Sequence, residues 1–162
     1  MLDDYKAVPK AAFGISGLDD VLAGGLQRDS AFLLEGSPGT GKTTVALRFL
    51  LTGAEAGETG LYITLSETER ELRQGAASHG WTLGEHIEVF ELVPPESLLD
   101  PDQQQSLVYS SDLELGETTR MIFEVVERIK PSRIVLDSLS EIRLLAQGSL
   151  RYRRQILALK HF

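Results

Sequence analysis

The stretch that most constrains this chain is LLEGSPGTGKTTVAL, residues 33–47. Three glycines and a proline fall within six residues, Gly36, Ser37, Pro38, Gly39, Thr40 and Gly41, and Lys42, Thr43 and Thr44 follow. The preceding SAFLLEG is a short, nearly continuous apolar run, as for a strand buried on both faces. KTTVALRFLLTGAEAG follows as a helix that Gly57 can end. Residues 36–43 therefore fit G-x-x-x-x-G-K-[ST] between a predicted strand and a predicted helix, the context this pattern requires. Glycines let backbone N–H groups converge on an anion with no side chain in the way, and the helix N-terminus adds its dipole. Lys42 can then reach β- and γ-phosphates, and the Thr43 hydroxyl can ligate Mg²⁺. A flexible turn that matches by chance is the alternative, and the flanking pattern weighs against it. Nucleotide binding is the firm expectation, with residues 36–44 forming the cradle.

Apolar runs and helical patterns alternate along the rest of the chain, which predicts an α/β fold with a largely parallel sheet. GLYITL and IEVFELV read as strands, and SRIVLDS as a further buried strand. Between the first two, SETERELRQGAASHG has the serine-then-acid start of a helix, with Leu72 and Ala76 four apart on one face. From Pro94 to Gly116 no steady period survives, and the segment reads as a long loop. ETTRMIFEVVERIKP is helical, with Met121, Ile122, Val125, Val126 and Ile129 on one stripe before Pro131 stops it. SLRYRRQILALKHF reads as a last, basic, amphipathic helix. No internal repeat is visible.

Composition narrows the function. At 162 residues there is room for one domain with a real core. The chain has no cysteine, which excludes disulfides, Cys-ligated zinc and thiol catalysis. No apolar run approaches the roughly 20 residues that cross a bilayer, and MLDDYKAVPK lacks the form of a signal peptide, so the cytoplasm is the expected location. The net charge of −8 is uneven: residues 130–162 hold seven Lys and Arg against two acids, and residues 1–129 nine against twenty-two. The acidic part offers no basic face for nucleic acid. The basic end either contacts an acidic neighbour, such as another copy of the chain, or is a solvated helix face.

A phosphate cradle needs a carboxylate to order the magnesium shell. Asp137, at the end of RIVLD, is where one belongs, because an aspartate at a buried strand end is costly without a partner such as a hydrated metal. The alternative is an aspartate that starts a turn or caps a helix through DSLSE. Hydrolysis also needs a group that orients or deprotonates water. Glu67 lies just past the C-terminal end of a neighbouring strand, where α/β proteins gather ligands. It reads equally as a first-turn acid stabilised by the helix dipole. His79, His86 and His161 show no metal spacing, and no Ser-His-Asp arrangement can be argued.

FGISGLDDVLAGGL just before LLEGSPGTGKTT resembles the lead-in of the KaiC-like branch of the RecA superfamily. LYITLSETERELRQGAASHGW and PSRIVLDSLSEIR continue the likeness in matching order, so that it covers nearly all of residues 13–162, with 1–12 as a lead-in. The resemblance implies a RecA-like P-loop ATPase core, ATP and Mg²⁺ as ligands, and commonly a hexameric ring with ATP bound between subunits. It assigns Lys42 to catalysis and nucleotide binding, Thr43 and Asp137 to the metal, and Glu67 to the catalytic acidic position. Clock ATPases with autokinase activity and signalling proteins are among such relatives.

Two departures from the pattern carry consequences. Where the clock proteins have two adjacent glutamates, this chain reads Ser66-Glu67. In the family, moreover, a later strand lies between the phosphate-loop strand and RIVLD, and later basic residues reach the neighbouring subunit's γ-phosphate. Both lie past residue 162 by this match, so the sheet is expected to lack a central strand, as in a cropped version of a longer protein. The leading expectation is an ATP-hydrolysing module of an oligomeric assembly. A nucleotide-dependent interaction module with negligible turnover, and a serine/threonine autokinase, are the alternatives.

Overall fold

A computed structural model describes residues 8–92 and 107–162. The chain starts with a short antiparallel ribbon, β1 (Lys10–Ala11) on β2 (Leu26–Gln27), with α1 (Ser16–Val21) between them. The Asp19 carboxylate accepts from the backbone N–H groups of Phe13, Gly14 and Ile15 and so winds the FGIS segment about itself. Gly14 is required there: its φ is +72°, and a Cβ would stand 2.2 Å from Thr52 Oγ1. This close approach lets Thr52 Oγ1 donate to Phe13 O at 2.9 Å, which fastens the lead-in to the next helix.

That helix is α2 (Lys42–Glu55), and Gly57 beyond it takes φ +78°. Then come β3 (Gly60–Thr64), α3 (Glu69–Ser78), β4 (Ile87–Glu91), α4 (Leu107–Ile129), β5 (Arg133–Asp137), α5 (Leu139–Ala146) and α6 (Ser149–His161). The sheet is parallel, in the order β4-β3-β5. Alternation along the strands separates two apolar layers. Tyr62 packs with Leu47 and Leu50 of α2 and Leu72 and Ala76 of α3, whereas Leu61 and Ile63 face Ile122 and Val125 of α4 and Ile142 of α5. Helices thus cover both faces, as the parallel pattern predicts, and all five residues of β3 are buried. No helix among the described residues is long and apolar enough to cross a membrane.

Several elements differ from the sequence reading. SAFLLEG is not a strand: none of its residues joins a ladder with a described residue, and Phe32, Leu33 and Leu34 are 55%, 70% and 50% exposed. Apolar content suits a buried strand, but a strand also needs a neighbour for its N–H and C=O groups. Among the described residues no strand lies alongside this segment, and the outer edge of β5 is left unpaired. β5 is correspondingly less buried than expected, with Ile134 45% exposed. The expected loop ending at Gly116 gives way to helix from Leu107, and Leu115 is buried on the α4 layer. Gly116 is tolerated inside α4 because a mid-helix glycine costs only about 1 kcal/mol, less than burying a leucine beside it returns. Residues 94–106 of that expected loop lie outside the described residues. α3 begins later than read, with Thr68 and Glu71 forming a capping box. Ser138 caps α5, a helix the sequence reading raised only as the alternative for DSLSE.

Candidate active site

The glycine loop delivers the chain into α2 through Gly41, an N-cap at φ 86° with no side-chain capping bond. Gly39 is also left-handed at φ 78°, and a Cβ added at either glycine would meet no atom within 4 Å. The first-turn amides of α2 and the positive end of its dipole therefore face open space, the arrangement that receives phosphate. Thr40 Oγ1 donates to Ser37 O at 2.8 Å and closes the turn that holds Pro38. Lys42 Nζ folds back on the loop, donating to Gly36 O at 2.8 Å and Ser37 O at 3.0 Å. It is bound to neutral carbonyls and pairs with no carboxylate among the described residues, so it can turn to an anion at little cost. The loop fits a nucleotide's phosphates.

The two residues expected on the metal side, Thr43 and Asp137, come together from distant parts of the chain. Parallel register sets Thr64 opposite Asp137 and Tyr62 opposite Val135. Tyr62 and Val135 pack on the α2 side, so the start of α2 lies over the end of β5. Thr43 Oγ1 donates to Asp137 Oδ2 at 3.2 Å across 94 residues. Tyr62 Oη donates to the same oxygen at 2.5 Å. Burial, then Asp137 itself, pushes the Tyr62 phenol above its ordinary value, which keeps it a neutral donor. No group of three or more His, Asp or Glu among the described residues could hold a metal ion. A cation here must take most of its ligands from phosphate and water, which suits Mg²⁺ and its hydrated shell.

Glu67 is placed by its backbone. Thr64 Oγ1 donates to Glu67 O at 2.8 Å and accepts from Glu67 N at 2.9 Å. Its carboxyl lines a cleft of about 130 Å³ together with Thr43, Thr44, Glu71 and His79. Burial, then the charges of Asp137 and Glu71, raises its pKa. A partly buried carboxylate made more basic, on the same cleft as Thr43, can take a proton from water. A larger groove of about 550 Å³ beside Arg70 and Glu91 contains none of the cradle residues.

The family model described as ATPase: KaiC matches residues 11–162. The chain belongs to the KaiC family of ATPases. It is 32% identical over 153 residues to the circadian clock oscillator protein KaiC of Parasynechococcus marenigrum, covering 94% of this chain and 29% of that one. It is 30% identical over 140 residues to the UPF0273 protein MK0039 of Methanopyrus kandleri, covering 84% of this chain and 56% of that one. The solved KaiC-like protein PH0186 of Pyrococcus horikoshii aligns with a TM-score of 0.73 at 31% identity, over 94% of this chain and 64% of that one. The chain thus spans about half of the Methanopyrus protein and under a third of the clock protein. KaiC membership carries nucleotide binding and ATPase activity at the level of the family, on a RecA-like fold.

Of the residues picked from the sequence for the site, Asp137 ends β5 and Glu67 lies just past β3. Thr43 meets Asp137 directly, while Lys42 stays on its own loop. Two residues escaped the sequence reading, Tyr62 and Thr64. The signal for Tyr62 was a phenol within the otherwise aliphatic start of GLYITL, since a buried tyrosine hydroxyl must find a partner.

Proposed function

We propose that this chain binds ATP with Mg²⁺ and hydrolyses it as part of a self-associating, signalling or clock-like assembly. Nucleotide state then sets its contacts with protein partners. The observation that carries this reading is the bond from Thr43 to Asp137, made beside a cradle open to phosphate, with Thr43 on the cleft that Glu67 lines. In this reading the amides of residues 39–44 hold the phosphates, and Lys42 leaves its loop carbonyls for the terminal one. Thr43 would hold the metal and Asp137 its water shell. Mg²⁺, when bound, would supply charge neutralisation at the phosphates. Glu67 orients a water in line with the γ-phosphorus and takes its proton. The water oxygen bonds to phosphorus as the β–γ bridging P–O bond breaks, which yields ADP and phosphate. Residues 13–162 belong to one ATPase unit, working in the cytoplasm within a hexameric ring of like copies.

Phosphate release from ATP and Mg²⁺ by the full-length protein tests the reading against Lys42→Ala and Glu67→Gln. Both substitutions should lower turnover by about 100-fold or more, with ATP binding retained in Glu67→Gln. If wild type binds ATP tightly yet releases no phosphate above the Lys42→Ala background, the second reading takes over, a nucleotide-dependent interaction module. Ser66 favours that one, because an exposed hydroxyl stands where the resemblance expects a second carboxylate. Labelled phosphate retained on the protein would mark an autokinase instead.

A further inference from the structure

We infer that Tyr62 is a positioning residue for the metal site: its phenol fixes one oxygen of Asp137 so that the other faces the metal's water shell. The inference rests on the metal role proposed for Asp137. Tyr62 is fully buried in β3 and flanked by Leu61 and Ile63, so its hydroxyl has few places to go. Parallel register puts Val135 opposite it and Asp137 one step further along the same face of β5. The ring leans along the strand to span that step, and Oη reaches Asp137 Oδ2 at 2.5 Å.

Thr43 Oγ1 donates to the same oxygen. Among the described residues no donor bonds Oδ1, and no lysine, arginine or histidine pairs with Asp137. Two neutral hydroxyls therefore orient the carboxylate without cancelling its charge, and they occupy one side of it only. A cationic partner would orient it equally well, but would compete with the metal for its charge. The two hydroxyls also differ in what nucleotide binding does to them. Thr43 is the group offered to the metal, so its bond to Asp137 must share that oxygen or yield. Tyr62 is enclosed by the core and bonds Asp137, with the Thr43 hydroxyl also beside it. It is then the fixed reference that keeps Asp137 from rotating as the metal arrives. Loss of such an outer partner typically lowers metal affinity about 10- to 100-fold.

The test is a Mg²⁺ titration of fluorescent ATP-analogue binding to the full-length protein, for wild type, Tyr62→Phe, Asp137→Ala and the double variant. Tyr62→Phe keeps the ring and removes only the donor. It should raise the Mg²⁺ concentration at half-maximal binding by about 10-fold and leave Mg²⁺-free nucleotide binding unchanged. In the Asp137→Ala background it should add nothing, because the tyrosine acts through that carboxylate. A merely structural phenol would lower the metal-free melting temperature and leave the Mg²⁺ requirement alone, which overturns the inference. So does a shift in the double variant as large as in Tyr62→Phe alone. If Asp137→Ala itself leaves the requirement at the wild-type value, the metal reading of Asp137 falls first. Tyr62→Leu supplies a second donor-free side chain, read the same way, should the phenylalanine variant not fold.

Discussion

Arg133 and Asp137 are the first and last residues of β5, and the protein treats their charges in opposite ways. The Arg133 side chain is 4% exposed and well partnered: Nε donates to Glu58 Oε2 at 2.5 Å, and Nη1 to Ala12 O and Phe49 O at 2.6 and 2.8 Å. Its guanidinium also lies 4.7 Å from the Phe49 ring centroid, and Arg28 joins Glu58 from the lead-in ribbon. Asp137 is half-buried and, among the described residues, its carboxylate receives two neutral hydroxyls. At one end the charge is neutralised within the chain, which locks the lead-in, α2 and β5 together. At the other it stays unneutralised among the described residues, as the proposed metal role requires. A buried ion cluster belongs where nothing must enter, and an underpaired acid where something must.

The sharpest way to break this contrast is to remove a partner at the closed end. Glu58→Ala leaves Arg133 buried without its counter-charge and should cost about 3–5 kcal/mol in urea unfolding. The Mg²⁺ requirement for nucleotide binding by the folded fraction should not move. Asp137→Asn is the matching change at the open end. It keeps an acceptor for both hydroxyls, so stability should change by about 1 kcal/mol or less, while the Mg²⁺ requirement rises at least about 10-fold. Were the two variants to trade effects, the division of labour along β5 would be wrong.

The smallest effect is in the pH dependence, where the two ends should differ in sign. Burial pushes Glu58 up, but Arg133 and Arg28 outweigh it and leave its pKa below the ordinary 4.5. Its contribution is therefore present above pH 4.5 and lost as pH falls through the folded value. Glu67 is raised instead, so the folded chain holds that proton more tightly. Its ionisation costs stability as pH rises from 4.5 through the folded value. Glu67→Gln should thus raise the melting temperature slightly at neutral pH, by well under about 1 kcal/mol given its partial exposure, and make no difference below 4.5. Melting curves of both variants across that range would separate the signs.

Much of the site was legible because its parts are local. Residues 36–43 state loop, cradle and helix start within one motif, and the stripe through Ile122 and Val125 places α4 on a core. Glu67 and Asp137 followed from where strands end. Residues 30–36 misled for the opposite reason: their apolar composition is local, but whether they form a strand depends on a neighbour that local composition does not specify.

The sequence by itself determined the phosphate loop, the helix and strand periods, the parallel α/β class and the acids at the strand ends. Those signals span a few residues and rest on backbone geometry and turn chemistry that hold in any fold. Only the tertiary structure decided that Tyr62 rather than a cation holds Asp137, that Thr64 pins Glu67, that Arg133 is sealed while Asp137 is left open, and that α4 starts at Leu107. The bonds to Asp137 and Arg133 join groups 75 or more residues apart along the chain. The register of β3 on β5 and the face onto which α2 packs bring them within reach, and neither is written in any one stretch of sequence.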